Sequence, residues 1–143
     1  RMMTKKRVNL KDYLLLEKLI GKKKFKKQTI NLNYYRNMHR FTESQVKKAY
    51  QDMVYTKLKE YRFSKFNKIQ LDFVLYKGSK RKIDRSNVLS IHEKYFCDAL
   101  VSMQIIEDDN DDFIESTHYY SGYDKNDPRV EIFIKVLGNT SNE

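Results

Sequence analysis

The chain has 143 residues, the length of one domain, and 40% of them are hydrophobic, so it can bury a core. Its single cysteine excludes an internal disulfide and a thiolate zinc site. The net charge of +10 favours a polyanionic partner, most often nucleic acid, over a basic surface that is only solvated. There is no signal peptide and no apolar run long enough to span a bilayer, so we expect a cytoplasmic protein.

Residues 1–27 are predicted to form an N-terminal helix followed by a basic arm. Apolar residues recur at helical spacing between Asn9 and Ile20, with Asn9 suited to the N-cap and Gly21 to the end of the helix. The arm is rich in lysines, which either contact phosphates or remain solvated. The lysines of this arm that are candidates for binding DNA are Lys24, Lys26 and Lys27.

The segment 28–137 is predicted to be the main domain. It opens with a short strand at 28–33, and a capping box at Thr42 starts a helix that runs to about Glu60. Apolar and polar residues alternate from Ile69 to Tyr76, which predicts a strand with one buried face.

The C-terminal half is predicted to hold one more helix and two strands. The helix begins at about Ser86 or Ser90 and ends at Met103, and its start is ambiguous because Ser90 and Glu93 form a second capping box. Alternation at 113–120 and at 130–136, with a glycine and a proline between, predicts an antiparallel hairpin.

Together these elements predict an α+β fold, with a mostly antiparallel four-stranded sheet and helices packed on one face. The last residues, 138–143, are expected to form a disordered tail.

Carboxylates are concentrated around the last predicted helix, against the basic trend of the chain. Asp84 precedes the helix, and Asp108 and Asp109 follow it. Grouped carboxylates in a basic protein indicate a magnesium site that faces a phosphate backbone. The same residues also fit ordinary structural roles, because an aspartate before a helix is a common N-cap and an acidic loop is commonly a solvated turn.

Four residues inside the predicted helix also fit structural roles. His92 lies on the apolar stripe and is expected to be packed in the core. Cys97 follows Phe96 in a helical pattern and is expected to be a buried structural thiol. Lys94 and Asp98 are one turn apart, which is the spacing of a surface ion pair.

The sequence around these carboxylates resembles the RusA family of Holliday junction resolvases over about residues 28–136. The family pattern is Asp-x-Asp-Asn, then a helix with a lysine and an x-Asp-Ala-Leu segment, then Asp-Asp before a strand. This chain has Asp84-Arg85-Ser86-Asn87, then KYFCDAL from Lys94 to Leu100, then Asp108-Asp109. Ser86 replaces the second aspartate. The interval after Asn87 is about four residues longer than in the family, so Ser90 takes the place of the lysine if alignment starts there.

The resemblance implies a RusA-like domain at 28–137 that cuts four-way DNA junctions by paired, symmetric nicks. It implies a homodimer, encoded by a phage or prophage, that uses Mg²⁺ or Mn²⁺. By this resemblance Asp84 and Asp109 are catalytic and bind the metal together with Asp108. At the position of the missing aspartate, either Ser86 holds a metal-bound water or Asp98 or Asp112 compensates. Lys94 is the lysine that contacts the scissile phosphate.

Basic residues before the helix are expected to grip the DNA backbone near that site. They are Lys77, Lys80, Arg81, Lys82 and Arg85. The replacement of the second motif aspartate by Ser86 leaves a second interpretation open: a non-catalytic DNA-binding or regulatory protein of a mobile element on the same scaffold.

Overall fold

The computed structural model describes residues 4–10, 40–59, 65–80, 82 and 84–139. Four strands and two helices make up this part of the chain. In chain order they are β1 (Thr4–Leu10), α1 (Arg40–Leu58), β2 (Phe66–Lys77), α2 (Arg85–Ser102), β3 (Ile114–Tyr123) and β4 (Arg129–Asn139). The predicted α+β class is confirmed. No helix in these ranges is both long and apolar enough to cross a membrane.

The strands form one mixed sheet in the order β1-β4-β2-β3. β4 runs antiparallel to both of its neighbours, whereas β3 runs parallel to β2. Parallel neighbours need a long crossover connection, and α2 provides it between β2 and β3. Two of the three pairings are thus antiparallel, as the sequence predicts, but the parallel pairing of β3 makes the sheet a mixed one, and β3 is one of its edges.

The predicted hairpin between the last two strands is wrong. β3 and β4 lie on opposite sides of β2 and do not pair with each other. Alternation of apolar and polar residues identifies the buried face of a strand but says nothing about its neighbour. Here Tyr76, near the end of β2, lies in register with Gly122 of β3 and Arg129 of β4, so the connection between the strands passes across the end of β2.

The predictions for the segments near the two ends of the described chain also differ from the structure. Asn9 and Leu10, expected to begin a helix, belong to β1 and pair with Glu131 and Val130 of β4. Pairing with a buried strand outweighs the weak helical preference of so short a segment. Gly138 and Asn139, expected in a disordered tail, are paired with β2. The rest of the predicted N-terminal helix, the basic arm with Lys24, Lys26 and Lys27, the strand at 28–33 and residues 140–143 lie outside the described residues.

The helix and strand predictions from periodicity are confirmed for α1, β2 and α2. The core lies between one face of the sheet and the two helices. On β2 the buried residues alternate along the strand: Ile69, Leu71, Phe73 and Leu75. The helices contribute a larger set, which includes Val46, Tyr50, Val54, Leu58, Leu89, Tyr95, Phe96 and Leu100.

His92 is a packed core residue, as its position on the apolar stripe predicts. It is fully buried, and its Nδ1 is joined to the Tyr50 hydroxyl by a hydrogen bond of 2.8 Å. The two rings meet edge to face with centroids 5.6 Å apart. This polar contact in an apolar interface links α1 to α2 and fixes how the helices pack on each other.

Replacement of Tyr50 by phenylalanine is expected to lower the free energy of unfolding by about 1–2 kcal/mol, because it leaves a buried imidazole nitrogen without this hydrogen bond. Urea unfolding followed by circular dichroism measures the change. Tyr55→Phe is the matched control, since Tyr55 lies on the same helix and is 57% exposed. Equal stability of the Tyr50→Phe variant and the wild type would show that the hydrogen bond contributes nothing.

Arg129 fixes the connection between β3 and β4 to the end of β2. Its guanidinium carbon is 4.1 Å from the centroid of the Tyr76 ring, and its nitrogens bind the carboxylates of Asp124 at 2.8 Å and Glu131 at 2.7 Å. A Cβ atom at Gly122 would lie 2.7 Å from the Tyr76 ring, so only glycine allows this approach. The hydrogen bond from Arg129 holds the pKa of Asp124 below its ordinary value of 3.8.

This ion pair is expected to contribute to stability at neutral pH and to be lost in acid. Because the pKa of Asp124 is lower in the folded chain than in the unfolded chain, its contribution is present above about pH 4 and disappears as the pH falls through the folded value. The free energy of unfolding, measured in urea between about pH 2 and pH 6, should therefore fall less steeply in Asp124→Asn than in the wild type. Parallel curves for the two proteins would contradict this assignment.

Candidate functional site

A cleft of about 620 Å³ lies between the first half of α2 and the helix-facing side of β3. One wall of the cleft is formed by the N-cap of α2 and three residues of its first three turns. The other wall is formed by two residues of β3 that are two positions apart and share a face. The lining residues are Asp84, Arg85, Ser86, Glu93, Thr117 and Tyr119. Because β3 is an edge strand, the cleft is bordered by sheet on one side only.

Asp84 is the N-cap of α2, which confirms the structural role as a helix cap that its sequence position also fits. Its Oδ1 accepts hydrogen bonds from the backbone N–H of Ser86 at 3.1 Å and from the Ser86 hydroxyl at 2.8 Å. The first backbone bond of the helix, from Asn87 N–H to the Asp84 carbonyl, follows at 3.0 Å. The cap places both polar side chains at the mouth of the cleft and at the positive end of the helix dipole.

Glu93 is a second carboxylate of the cleft, and the sequence indicated it only as a possible capping-box partner of Ser90. It lies two turns into α2 and accepts a hydrogen bond from the Tyr119 hydroxyl of β3. Burial raises the pKa of Tyr119, and the bond to Glu93 and the charge of Glu93 raise it further, so this hydroxyl remains a donor at neutral pH. Ser86, Ser90 and Glu93 recur at helical spacing, and this polar stripe is the signal that was available in the sequence.

Asp108 and Asp109 are not among the residues that line the cleft. Asp108 organises its own loop: its carboxylate accepts hydrogen bonds from the Asp109 backbone N–H at 2.8 Å and from the Asn110 side chain at 3.3 Å. Asp109 is exposed, and its negative charge helps to raise the pKa of Cys97, which lies one turn beyond Glu93 on α2. Asp109 therefore lies near the Cys97 end of the stripe that carries Glu93.

Lys94 lies on a different side of α2 from the cleft lining. Its Nζ is 4.0 Å from the Asp98 carboxylate, which also binds Lys47 of α1 at 3.4 Å. The ion-pair interpretation of Lys94 and Asp98 is thus confirmed, with α1 as its further partner. Ser90, the alternative position for the family's lysine, carries no charge. The cation that lines the cleft is Arg85, whose Nη1 donates to the Ser121 hydroxyl of β3 at 3.3 Å.

Basic residues predicted to bind DNA lie in and next to the turn that leads to Asp84 of the cleft. Lys77 ends β2, and Lys80 and Lys82 are exposed in the turn that leads to Asp84. The Lys80 ammonium lies 5.5 Å from the centroid of the Tyr123 ring. Arg81 of the same turn lies outside the described residues.

The donor atoms of the cleft decide which metal it can take. Within the described ranges no three or more His, Cys, Asp or Glu side chains are grouped to hold a metal ion. The cleft offers the carboxylates of Asp84 and Glu93 and the hydroxyl of Ser86. Mg²⁺ usually takes one or two protein carboxylates and completes its shell with water and substrate phosphate. Asp84 and Ser86 could therefore hold Mg²⁺ together with a phosphate, whereas Glu93 lies nine residues further along α2, a rise of about 13 Å, and cannot ligate the same ion.

No family model matches this chain, and no curated protein matches it.

Cys97 is expected to be unreactive in the folded protein. Burial, and then the charges of Glu93, Asp109 and Asp98, raise the pKa of its thiol to about 12. At pH 8 about one thiol in ten thousand is then ionised, and the thiolate is the reactive form. Labelling with a chromogenic disulfide reagent should be slow in buffer and fast in urea. Similar rates under both conditions would show that the thiol is neither buried nor surrounded by negative charge.

Proposed function

We propose that this protein is a magnesium-dependent, structure-selective endodeoxyribonuclease that nicks four-way DNA junctions. The observation that carries the proposal is a cleft lined by Asp84 and Glu93, with a lysine-rich turn leading into Asp84. Within a strongly basic chain, the Asp84 carboxylate offers a divalent cation a place next to a bound phosphate. The likeness of the surrounding sequence to the RusA family supports the choice of branched DNA as substrate.

Each residue of the cleft has a distinct task in this proposal. Asp84 would hold Mg²⁺ and Ser86 would bind water beside it, while Glu93 would add a second negative charge further along the cleft. When bound, the ion lowers the pKa of water and offsets charge on the phosphate. Tyr119 positions Glu93 by donating its hydroxyl hydrogen. Arg85 offsets charge on the same phosphate, which is the task that the resemblance assigns to Lys94.

Asp109 remains a third candidate carboxylate. It lies near the Cys97 end of the stripe that carries Glu93, so DNA bound along α2 would pass close to it. Asp108 is a weaker candidate, because both of its carboxylate oxygens accept hydrogen bonds within the loop.

The form of the substrate follows from the charge and from the expected symmetry. Lysines at the turn before α2 contact phosphates, which fix register without reading sequence, so selectivity comes from the shape of the junction. A four-way junction has two equivalent strands to cut. A homodimer presents two equivalent clefts and would make the paired nicks that the proposal includes.

Cutting of synthetic four-way junctions tests the proposal. Cleavage is expected with Mg²⁺ or Mn²⁺ and not with EDTA, and both Asp84→Asn and Glu93→Gln should slow it about a hundredfold or more. Asparagine caps a helix as well as aspartate does, so Asp84→Asn keeps the start of α2 while it removes the charge. Asp52→Asn is the matched control, because Asp52 lies on α1 and pairs with Lys48 there.

Junction binding is measured beside cutting, in EDTA and at a stated salt concentration, because loss of a carboxylate should leave binding intact or strengthen it. Cutting unchanged in both cleft variants would remove the proposed site. Cutting lost in Asp109→Asn alone would move the site to the loop after α2.

A second function is favoured by the hydrogen bonds at Ser86. Its hydroxyl and backbone N–H both donate to Asp84, so the serine stabilises a helix cap where the family has a carboxylate. On this ground the chain would bind junctions without cutting them, as a regulatory protein of a mobile element. Tight binding with no cleavage in Mg²⁺ or Mn²⁺ supports this alternative. Cleavage gained in Ser86→Asp would show that only the second carboxylate is missing.

A further inference from the structure

Tyr123 is an exposed aromatic residue at the end of β3, with a lysine against its ring. It is 47% exposed, and the Lys80 ammonium lies 5.5 Å from the ring centroid. We propose that Tyr123 and Lys80 form a stacking subsite for an unpaired nucleobase of DNA bound in the cleft. This inference rests on the proposed function, because it requires that the chain binds DNA.

The position of Tyr123 follows from the alternation of β3. Thr117 and Tyr119 line the cleft, Ser121 receives the hydrogen bond from Arg85, and Tyr123 is the next residue on the same side of the strand. Four residues of strand place Tyr123 about 13 Å from Tyr119. That length corresponds to about four nucleotide steps of a stacked strand. A strand whose phosphate lies in the cleft therefore reaches Tyr123 within a few nucleotides.

The charges around Tyr123 favour a nucleic acid over other ligands with flat rings. Asp124 and Asp127, which follow Tyr123 in the chain, are both bound by Arg129, at 2.8 and 3.7 Å. Arg129 also binds Glu131 and so offsets one of three negative charges, while the exposed Lys80 and Lys82 bring two positive charges to the turn before α2. An aromatic ring within a basic groove is the combination that proteins use to bind single-stranded nucleic acid, since every base has a face that can stack.

The other exposed aromatic residues of the described chain do not share this location. Tyr120 is 49% exposed but lies on the opposite face of the sheet, where its ring is tilted against His118 at 6.4 Å. Tyr55 is 57% exposed on α1. Among the described residues no lysine lies against the ring of Tyr55 or Tyr120, whereas Lys80 lies against Tyr123, so Tyr123 is the candidate for base stacking.

The experiment uses junctions and flapped duplexes with the fluorescent base 2-aminopurine at an unpaired position, and an unbroken duplex of equal length. Stacking on Tyr123 should quench the fluorescence. Tyr123→Leu keeps an apolar side chain without a π face, and it should abolish the quenching and weaken binding of the unpaired DNA about tenfold. Affinity for the unbroken duplex should not change, and Tyr123→Phe should behave as the wild type.

Tyr55→Leu is the matched control, since it removes an exposed tyrosine from outside the cleft. Thermal unfolding of each variant confirms that the chain still folds. Persistent quenching in Tyr123→Leu, or equal weakening of paired and unpaired DNA, would overturn the subsite while DNA binding itself stands. Absence of binding to every DNA form by the wild type would overturn both the subsite and the proposed function.

Discussion

Phe73 fixes the distance between the two walls of the cleft. It is fully buried at the centre of β2, and its ring meets Phe96 of α2 and Tyr119 of β3 edge to face, with centroids 6.2 and 6.0 Å apart. Each such contact is worth about 0.5–1.5 kcal/mol beyond the area that it buries. Tyr119 then donates its hydroxyl hydrogen to Glu93. A core packing contact and a polar contact of the cleft thus share one side chain, so the carboxylate of Glu93 is held by the core.

The topology explains why polar groups converge at this end of the molecule. β2 and β3 are parallel and joined through α2, so the carboxyl ends of both strands lie beside the start of α2. Lys77 and Tyr123 are paired at these ends, and the turn after Lys77 leads directly to Asp84. Ligands bind at the carboxyl ends of parallel strands in many α/β proteins, because loops and helix N-termini meet there. An antiparallel hairpin would have placed Tyr119 and Tyr123 elsewhere.

The sequence could predict the features that depend on residues close together in the chain, and not those that depend on contacts between distant segments. Helices α1 and α2 and strand β2 have local periodicity, and His92 and Cys97 could be placed in the core from their position on a stripe. Strand partners depend on contacts between distant segments, so neither the central place of β2 nor the pairing of Leu10 with Val130 was accessible. Of the candidate site, Asp84, Ser86 and Arg85 are found in the cleft, because they are neighbours in the sequence.

Glu93 shows why the rest of the site was missed. In the sequence it is a helix residue that forms a possible capping box with Ser90, and nothing nearby indicates a place in a binding site. It becomes part of a site only because β3 runs parallel to β2 and brings Tyr119 against α2. Lys94 shows the converse: the family motif predicts it at the site, but in the structure it pairs with Asp98, which also binds Lys47 of α1. If this chain cuts DNA, the second carboxylate of its cleft is therefore Glu93 on the helix, and not a residue beside Asp84 as in the family motif.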